Sequence, residues 1–187
     1  MLFVLKGLFP RPVDGPVLAL HPDDLHGRAG GDHGNEAADI PVQDATTDRL
    51  SGKVIRVIDG DTLVLLVESE QGKPGEVRVR LEGIDCPESG QPWSKRAKQE
   101  LSDLVLDQTV KVWTIGEDRY GRKLGRVYVG EDEKPLDVNI MLVASGLAWH
   151  FKRYSDDENL AEAEIAARRE RKGLWADAAP VAPWDWR

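Results

Sequence analysis

Lys53-Val54-Ile55-Arg56-Val57-Ile58-Asp59-Gly60-Asp61-Thr62-Leu63-Val64-Leu65-Leu66-Val67 is two short β-rich runs separated by a turn, and this stretch decides the class of fold. Branched aliphatic residues suit a pleated, half-buried surface, and Asp-Gly between such runs is a strong hairpin signal. The next run alternates cleanly. Val77, Val79 and Leu81 fall on one face and Arg78, Arg80 and Glu82 on the other, the period of two expected of a third strand. That strand runs straight into Asp85-Cys86-Pro87-Glu88, where the chain must turn.

Further along, a helix is expected over roughly Ser94 to Leu106, with Ala97, Leu101, Leu104 and Val105 on one face and Lys95, Lys98, Gln99 and Asp103 on the other. Strands follow at Thr109 to Thr114 and Lys123 to Val129, joined through Asp118-Arg119-Tyr120-Gly121-Arg122. A short helix from about Asp137 to Ser145 stops at Gly146, a good helix-terminating residue. The last helix opens on Ser155-Asp156-Asp157-Glu158, a capping-box pattern, and extends to about Lys172. Its terminal cations Arg168, Arg169, Arg171 and Lys172 suit the negative end of the helix dipole. Three strands, a helix, two strands and further helices give an α+β, mainly β fold. The expected form is a five-stranded OB-fold-like barrel with about three packing helices, a class whose open face commonly binds oligonucleotides.

Composition sets the limits of that domain. Residues 1–50 carry no sustained period and gather Pro10, Pro12, Pro16, Pro22, Gly27, Gly30, Gly31 and Gly34, so they are expected to be disordered. Residues 51–176 then form the folded domain and 177–187 a Pro- and Trp-containing tail with no assignable element. His21, His26 and His33 lie among acids in the first segment but at no metal-ligand spacing, and read as solvated polar residues. Residues 1–50 hold four Lys and Arg against eight Asp and Glu, so half of the net charge of −8 belongs there. The domain is not generally basic. Nucleic acid would have to be gripped by a local cationic site and not by a broad positive surface. Cys86 is the single cysteine, which excludes an intramolecular disulfide and a Cys-rich zinc site. The apolar start Met1-Leu2-Phe3-Val4-Leu5 stops at Lys6 without the pattern of a secretion signal, and no run approaches a membrane span. A monomer with no membrane partner is expected; the compartment is left open, cytoplasmic by default, with export the alternative if the start is misassigned.

Three carboxylates, Asp61, Asp85 and Glu88, and the guanidinium of Arg80 stand at the ends of neighbouring strands. Carboxylates are hard ligands for Ca²⁺ or Mg²⁺, and a planar guanidinium grips phosphate through two hydrogen bonds. Arg122 is the candidate for a second hand. The combination suits phosphodiester chemistry.

Three ordered motifs carry a family resemblance: Val57-Ile58-Asp59-Gly60-Asp61-Thr62, Arg80-Leu81-Glu82-Gly83-Ile84-Asp85-Cys86-Pro87-Glu88 and Asp118-Arg119-Tyr120-Gly121-Arg122. Val138-Asn139, Gly146-Leu147-Ala148 and Gly173-Leu174-Trp175 agree with them. With these motifs, Gly52 to about Trp175 resembles the thermonuclease, or staphylococcal nuclease-like, family. The resemblance implies a metal-dependent nuclease acting on DNA or RNA, single-stranded substrates favoured, with Ca²⁺ as cofactor, Mg²⁺ as second candidate and 3′-phosphate products. It implies Asp61, Asp85 and the Cys86 carbonyl as metal ligands and Glu88 as the residue that positions or deprotonates water. Arg80 and Arg122 would hold the scissile phosphate, and Arg119 and Tyr120 would bind substrate beside it. The family often has threonine where Cys86 stands, so a supporting hydroxyl is replaced, and the loop from Glu88 to Ser94 is shorter than in the founding nuclease. The alternatives are a non-catalytic nucleic-acid-binding module, or a protein-interaction domain using the apolar helix of Ile140 to Val143.

Overall fold

The computed structural model describes residues 48–68, 72–131 and 133–187. Strand β1 (Asp48–Val57) is followed by β2 (Thr62–Glu68), β3 (Pro74–Leu81), the short β4 (Ile84–Asp85) and helix α1 (Ser94–Val105). Then come β5 (Thr109–Glu117), β6 (Lys123–Val129), the short β7 (Leu136–Asp137), α2 (Val138–Ala144), β8 (Trp149–His150), α3 (Glu158–Arg169), a 3-10 turn over Gly173–Ala176 and the single turn α4 (Pro183–Trp186). The expected disorder of residues 1–50 and the three early histidines fall, up to residue 47, outside the described residues.

β1 is longer than its sequence suggests and has two partners. Asp48 to Lys53 pair with β5, Lys53 to Val57 pair with β2, and a register shift between Val54 and Arg56 bends the strand from one to the other. β2 continues to β3 and β5 to β6, and a parallel contact of Val79–Leu81 with Lys123–Gly125 joins β3 to β6. Five strands thus close into the expected OB-fold-like barrel. Its interior is filled from alternate positions, including Val54, Leu63, Leu65, Val79, Leu81, Val110, Val112 and Val127, and α1 covers it through Ala97, Leu101 and Val105.

Helices α2 and α3 are fastened to the barrel by polar groups. Asp137 caps α2 through the Ile140 N–H, Asp157 caps α3 through the N–H groups of Asn159 and Leu160, and Arg126 of β6 forms ion pairs with both aspartates. The cap of α3 is therefore Asp157, not Ser155, and the helix begins at Glu158. Fully buried Asn139 accepts from the Val127 N–H at 3.1 Å and donates to the Glu82 carbonyl at 2.8 Å, tying α2 to the barrel wall. Leu142 and Val143 of α2 belong to the core, so this apolar helix is spent on packing and offers little contact surface. Gly146 and Gly173 (φ +72° and +53°) let two chain segments touch, since a Cβ at Gly146 would overlap the Lys172 carbonyl; Leu174 N–H then reaches the Gly146 carbonyl at 2.9 Å.

Residues 177–187 are not a loose tail. Trp93 Nε1 donates to Asp177 at 2.9 Å and Gln91 Nε2 to the Val181 carbonyl at 2.7 Å, while Ala182 and Pro183 are buried. Among the described residues, no helix is long and apolar enough to cross a membrane.

Candidate active site

The turn Asp59-Gly60-Asp61 is held in shape by its own side chains. Asp59 accepts the Asp61 N–H at 3.1 Å, and a Cβ on Gly60 would come within 2.7 Å of the Cys86 Cβ and 2.9 Å of the Ala97 Cβ. Gly60 is thus required by close packing. The contact seats Asp61 beside the loop after β4. Its carboxylate accepts the Cys86 N–H at 2.9 Å and the Thr62 hydroxyl at 3.2 Å. The Cys86 thiol donates to the Gly60 carbonyl at 3.2 Å, so sulfur supplies a cross-link of the kind a hydroxyl would give. Burial, together with the nearby Asp61 charge, pushes that thiol well above its ordinary range, which keeps it protonated.

Arg80 projects from β3 into the same place. It bridges Asp61 at 3.1 Å and Asp85 at 2.9 Å, and its Nη1 also donates to the carbonyls of Leu81 and Ile84 at 2.9 and 3.0 Å. One guanidinium is therefore shared by two carboxylates, which are 7% and 1% exposed. It does not neutralise both. Burial drives the Asp61 pKa up to about 7 against the opposing pull of Arg80, and Asp85 is likewise raised by burial despite Arg80 and Arg187. Burial works to lower the Arg80 pKa, but Asp61 and Asp85 more than offset it and hold the residue charged.

Arg122 arrives from the other side of the barrel seam, on the hairpin between β5 and β6. Asp118 builds this hairpin: its carboxylate accepts the N–H groups of Tyr120 and Arg122 at 2.9 and 3.0 Å and the Arg122 Nε at 2.7 Å. Burial acts to raise the Asp118 pKa, but these bonds from Arg122 and Tyr120 lower it. Arg122 Nη1 points to the Thr62 hydroxyl at 3.4 Å, which links it to Asp61 through one side chain. Arg119 lies over the Tyr120 ring at 4.8 Å and donates to its hydroxyl at 2.7 Å, both at the exposed hairpin tip. Arg78 braces this tip by donating to the Tyr120 carbonyl at 3.1 Å, so it is more than a solvated charge on the strand.

Glu88 completes the acidic side, its backbone fixed by Gln91 at 2.8 Å. One cleft of about 280 Å³ is lined by Asp61, Arg80, Asp85, Cys86, Glu88 and Arg122. Arg119 and Tyr120 do not line it. Two residues that shape the site were not anticipated: Asp118, which holds Arg122 from outside the cleft, and Arg187. Asp118 lies inside a quoted motif and its hairpin role follows from its position four residues before Arg122; Arg187, which also lines the cleft, gives no sequence signal because its partners are about a hundred residues away.

Fold and cleft together define an OB-fold-like barrel with a buried, arginine-bridged acidic site at its rim. The family model for staphylococcal nuclease homologues matches residues 78–177. The chain is 42% identical over 143 residues to the micrococcal nuclease of Shigella flexneri, covering 73% of this chain and 79% of that protein. It is 39% identical to a protein named uncharacterized endonuclease in Escherichia coli O157:H7, across 74% of this chain and 85% of the other. It is also 40% identical to protein ParB of Escherichia coli, across 74% and 79% respectively. The chain belongs to the staphylococcal nuclease family.

Proposed function

We propose that this protein hydrolyses phosphodiester bonds of DNA or RNA, favouring single strands, with Ca²⁺ as its cofactor and 3′-phosphate ends as its product. The observation that carries this reading is the convergence of Asp61, Asp85, Glu88, Arg80 and Arg122 on one cleft. The donor set suits a hard divalent cation: Asp61, Asp85 and Glu88 bring three carboxylates to one cleft against the guanidinium groups of Arg80 and Arg187, burial still raises the pKa of Asp61 and Asp85, and the Cys86 carbonyl belongs to the same loop. Asp61, Asp85 and that carbonyl would hold the ion. When bound, it supplies Lewis-acid polarisation of a phosphoryl oxygen.

The chain's own groups do the rest. Arg80 spends Nη1 on Asp61 and two carbonyls and one Nη2 hydrogen on Asp85. Its Nε and remaining Nη2 hydrogens form the edge suited to a two-point grip on phosphate, and Arg122, steadied by Asp118, approaches from the opposite wall. Both stabilise the charge that grows on the phosphoryl oxygens as water attacks. Glu88 orients that water and takes its proton. Phosphorus–O5′ cleavage then leaves a 3′-phosphate, the departing oxygen takes a proton from solvent to become a 5′-hydroxyl, and Glu88 returns its proton to solvent.

The test is incubation of the purified chain with denatured DNA and with RNA, in Ca²⁺, in Mg²⁺ and in chelator, followed by identification of the ends. Cleavage is expected with Ca²⁺, lost in chelator and nearly abolished in Asp85→Asn. Binding of single strands without cleavage under every condition would instead select the non-catalytic module.

A further inference from the structure

Arg187 follows α4, a single turn beginning at Pro183 and closed by Asp185 N–H and Trp186 N–H on the Ala182 carbonyl at 3.0 and 3.1 Å. The turn is fixed from beneath. Trp184 stacks on Phe151 with centroids 5.1 Å apart and planes 6° from parallel, meets Trp149 edge-on at 5.4 Å, and follows buried Ala182 and Pro183. From this base the Arg187 guanidinium forks across two acids of the cleft: one Nη hydrogen-bonds and ion-pairs with Asp85 Oδ2, and the other meets Glu88 at 2.8 Å. Asp85 Oδ1 is already taken by Arg80 at 2.9 Å, so both oxygens of this carboxylate are in guanidinium hands.

We propose that Arg187, presented by the docked turn Pro183–Trp186, competes with the divalent cation for Asp85 and thereby sets the concentration at which the cation loads. The proposal rests on the reading of Asp85 as a cation ligand. A cation approaching Asp85 must either displace the Arg187 fork or bind beside its positive charge, and each option weakens binding. The Arg187 side chain is 48% exposed, so it can swing away from the cleft without unpacking the core, whereas Arg80, 12% exposed and bonded to two acids and two carbonyls, cannot. Trp184 keeps the local concentration of the guanidinium high. Residues 177–187 therefore belong to the site, although they lie outside every motif that identifies it.

Calorimetric titration of the full chain with Ca²⁺ alone, without nucleic acid, tests this, with folding of each variant checked by circular dichroism. Arg187→Ala should bind Ca²⁺ about 3- to 10-fold more tightly, the range expected when one partly exposed ion pair no longer competes. Trp184→Ala keeps the charge of Arg187 but undocks its turn, and should shift affinity in the same direction. Unchanged or weaker binding by Arg187→Ala, with Asp85→Asn losing affinity, overturns the competition and leaves the cation reading standing. Tighter binding by Arg187→Ala with no change in Trp184→Ala reduces the effect to charge alone and overturns the role of the docked turn. Absence of Ca²⁺ binding in both the parent chain and Arg187→Ala removes the cation reading, and the proposal with it.

Discussion

Arg78 and Arg80 share a strand face and differ in everything that matters for chemistry. Arg80, only partly exposed, is held among Asp61, Asp85 and two carbonyls, whereas Arg78 is exposed and holds the Tyr120 carbonyl. Lysine keeps the charge but lacks the planar fork, and it would leave several of the acceptors around position 80 without a donor. Arg80→Lys and Arg122→Lys should each lower single-turnover cleavage of a short oligonucleotide by about 100-fold or more, the scale of losing one oriented transition-state donor. Arg78→Lys should cost only about 2-fold, through looser bracing of the hairpin, as expected for a group that touches no reacting atom. Equal losses at positions 78 and 80 would remove Arg80 from the chemistry.

The raised Asp61 pKa makes a second residue-scale prediction. Folded Asp61 keeps its proton up to about 7, while an unfolded aspartate loses it near ~3.9, so between these values the native state binds more protons. Without cation, Asp61 stabilises fully below that window and its contribution is lost as pH rises through it. A cation needs the ionised carboxylate, so the rise in melting temperature on adding Ca²⁺ should grow from acid conditions and level off above about 7. Thermal melts with Ca²⁺ and with chelator across this range measure the difference. A shift constant with pH would mean that Asp61 does not hold the ion.

At the scale of elements, Asn139 shows how little side-chain material keeps the helices on the barrel. Replacing it with alanine strands the buried Val127 N–H and the Glu82 carbonyl, at a cost of about 2–3 kcal/mol in urea unfolding. Asn139→Asp should be worse at neutral pH, because it keeps the acceptor but sets an unpaired charge against two carbonyls, those of Glu82 and Gly125. An alanine variant within about 0.5 kcal/mol of the parent would show that the network is dispensable. The elements themselves were legible where period and turn chemistry agreed, as in β2, β3, α1 and β6. The first half of β1 was not, because Asp48-Arg49-Leu50-Ser51-Gly52 has little strand propensity and is ordered by pairing with β5, a tertiary cause. The cap of α3 was misjudged for a similar reason. Asp157 wins over Ser155 because Arg126, distant in sequence, holds its carboxylate.

For the whole molecule, Asp61, Arg80, Asp85, Cys86, Glu88 and Arg122 of the cleft were readable because each sits on or beside a strand end or in a turn whose pattern is local, whereas Arg187 was not. What they do to one another was hidden. No pattern in the sequence reports that Arg80 is shared by two acids, that Arg78 supports the opposite hairpin, or that Arg187 returns to Asp85. The first is made within the β2–β3–β4 segment, the last depends on docking of the turn Pro183–Trp186, and the brace from Arg78 depends on closure of the barrel by β3 and β6, strands separated by β4, a helix and a long strand.

That seam also governs when the site comes into being. The hairpins β1–β2–β3 and β5–β6 need only neighbouring chain, whereas joining β3 to β6 must close a long loop and is entropically the more demanding step. Arg80 lies on one lip of the seam and Arg122 next to the other, so a refolding chain acquires the strand signal of its hairpins before it has both guanidinium groups on one cleft. Recovery of cleavage should therefore lag the spectroscopic return of structure. A nascent chain that stops before β6 carries Asp61, Arg80, Asp85 and Glu88 but lacks the strand that brings Arg122 to them, and is expected to cleave only once β6 has been made.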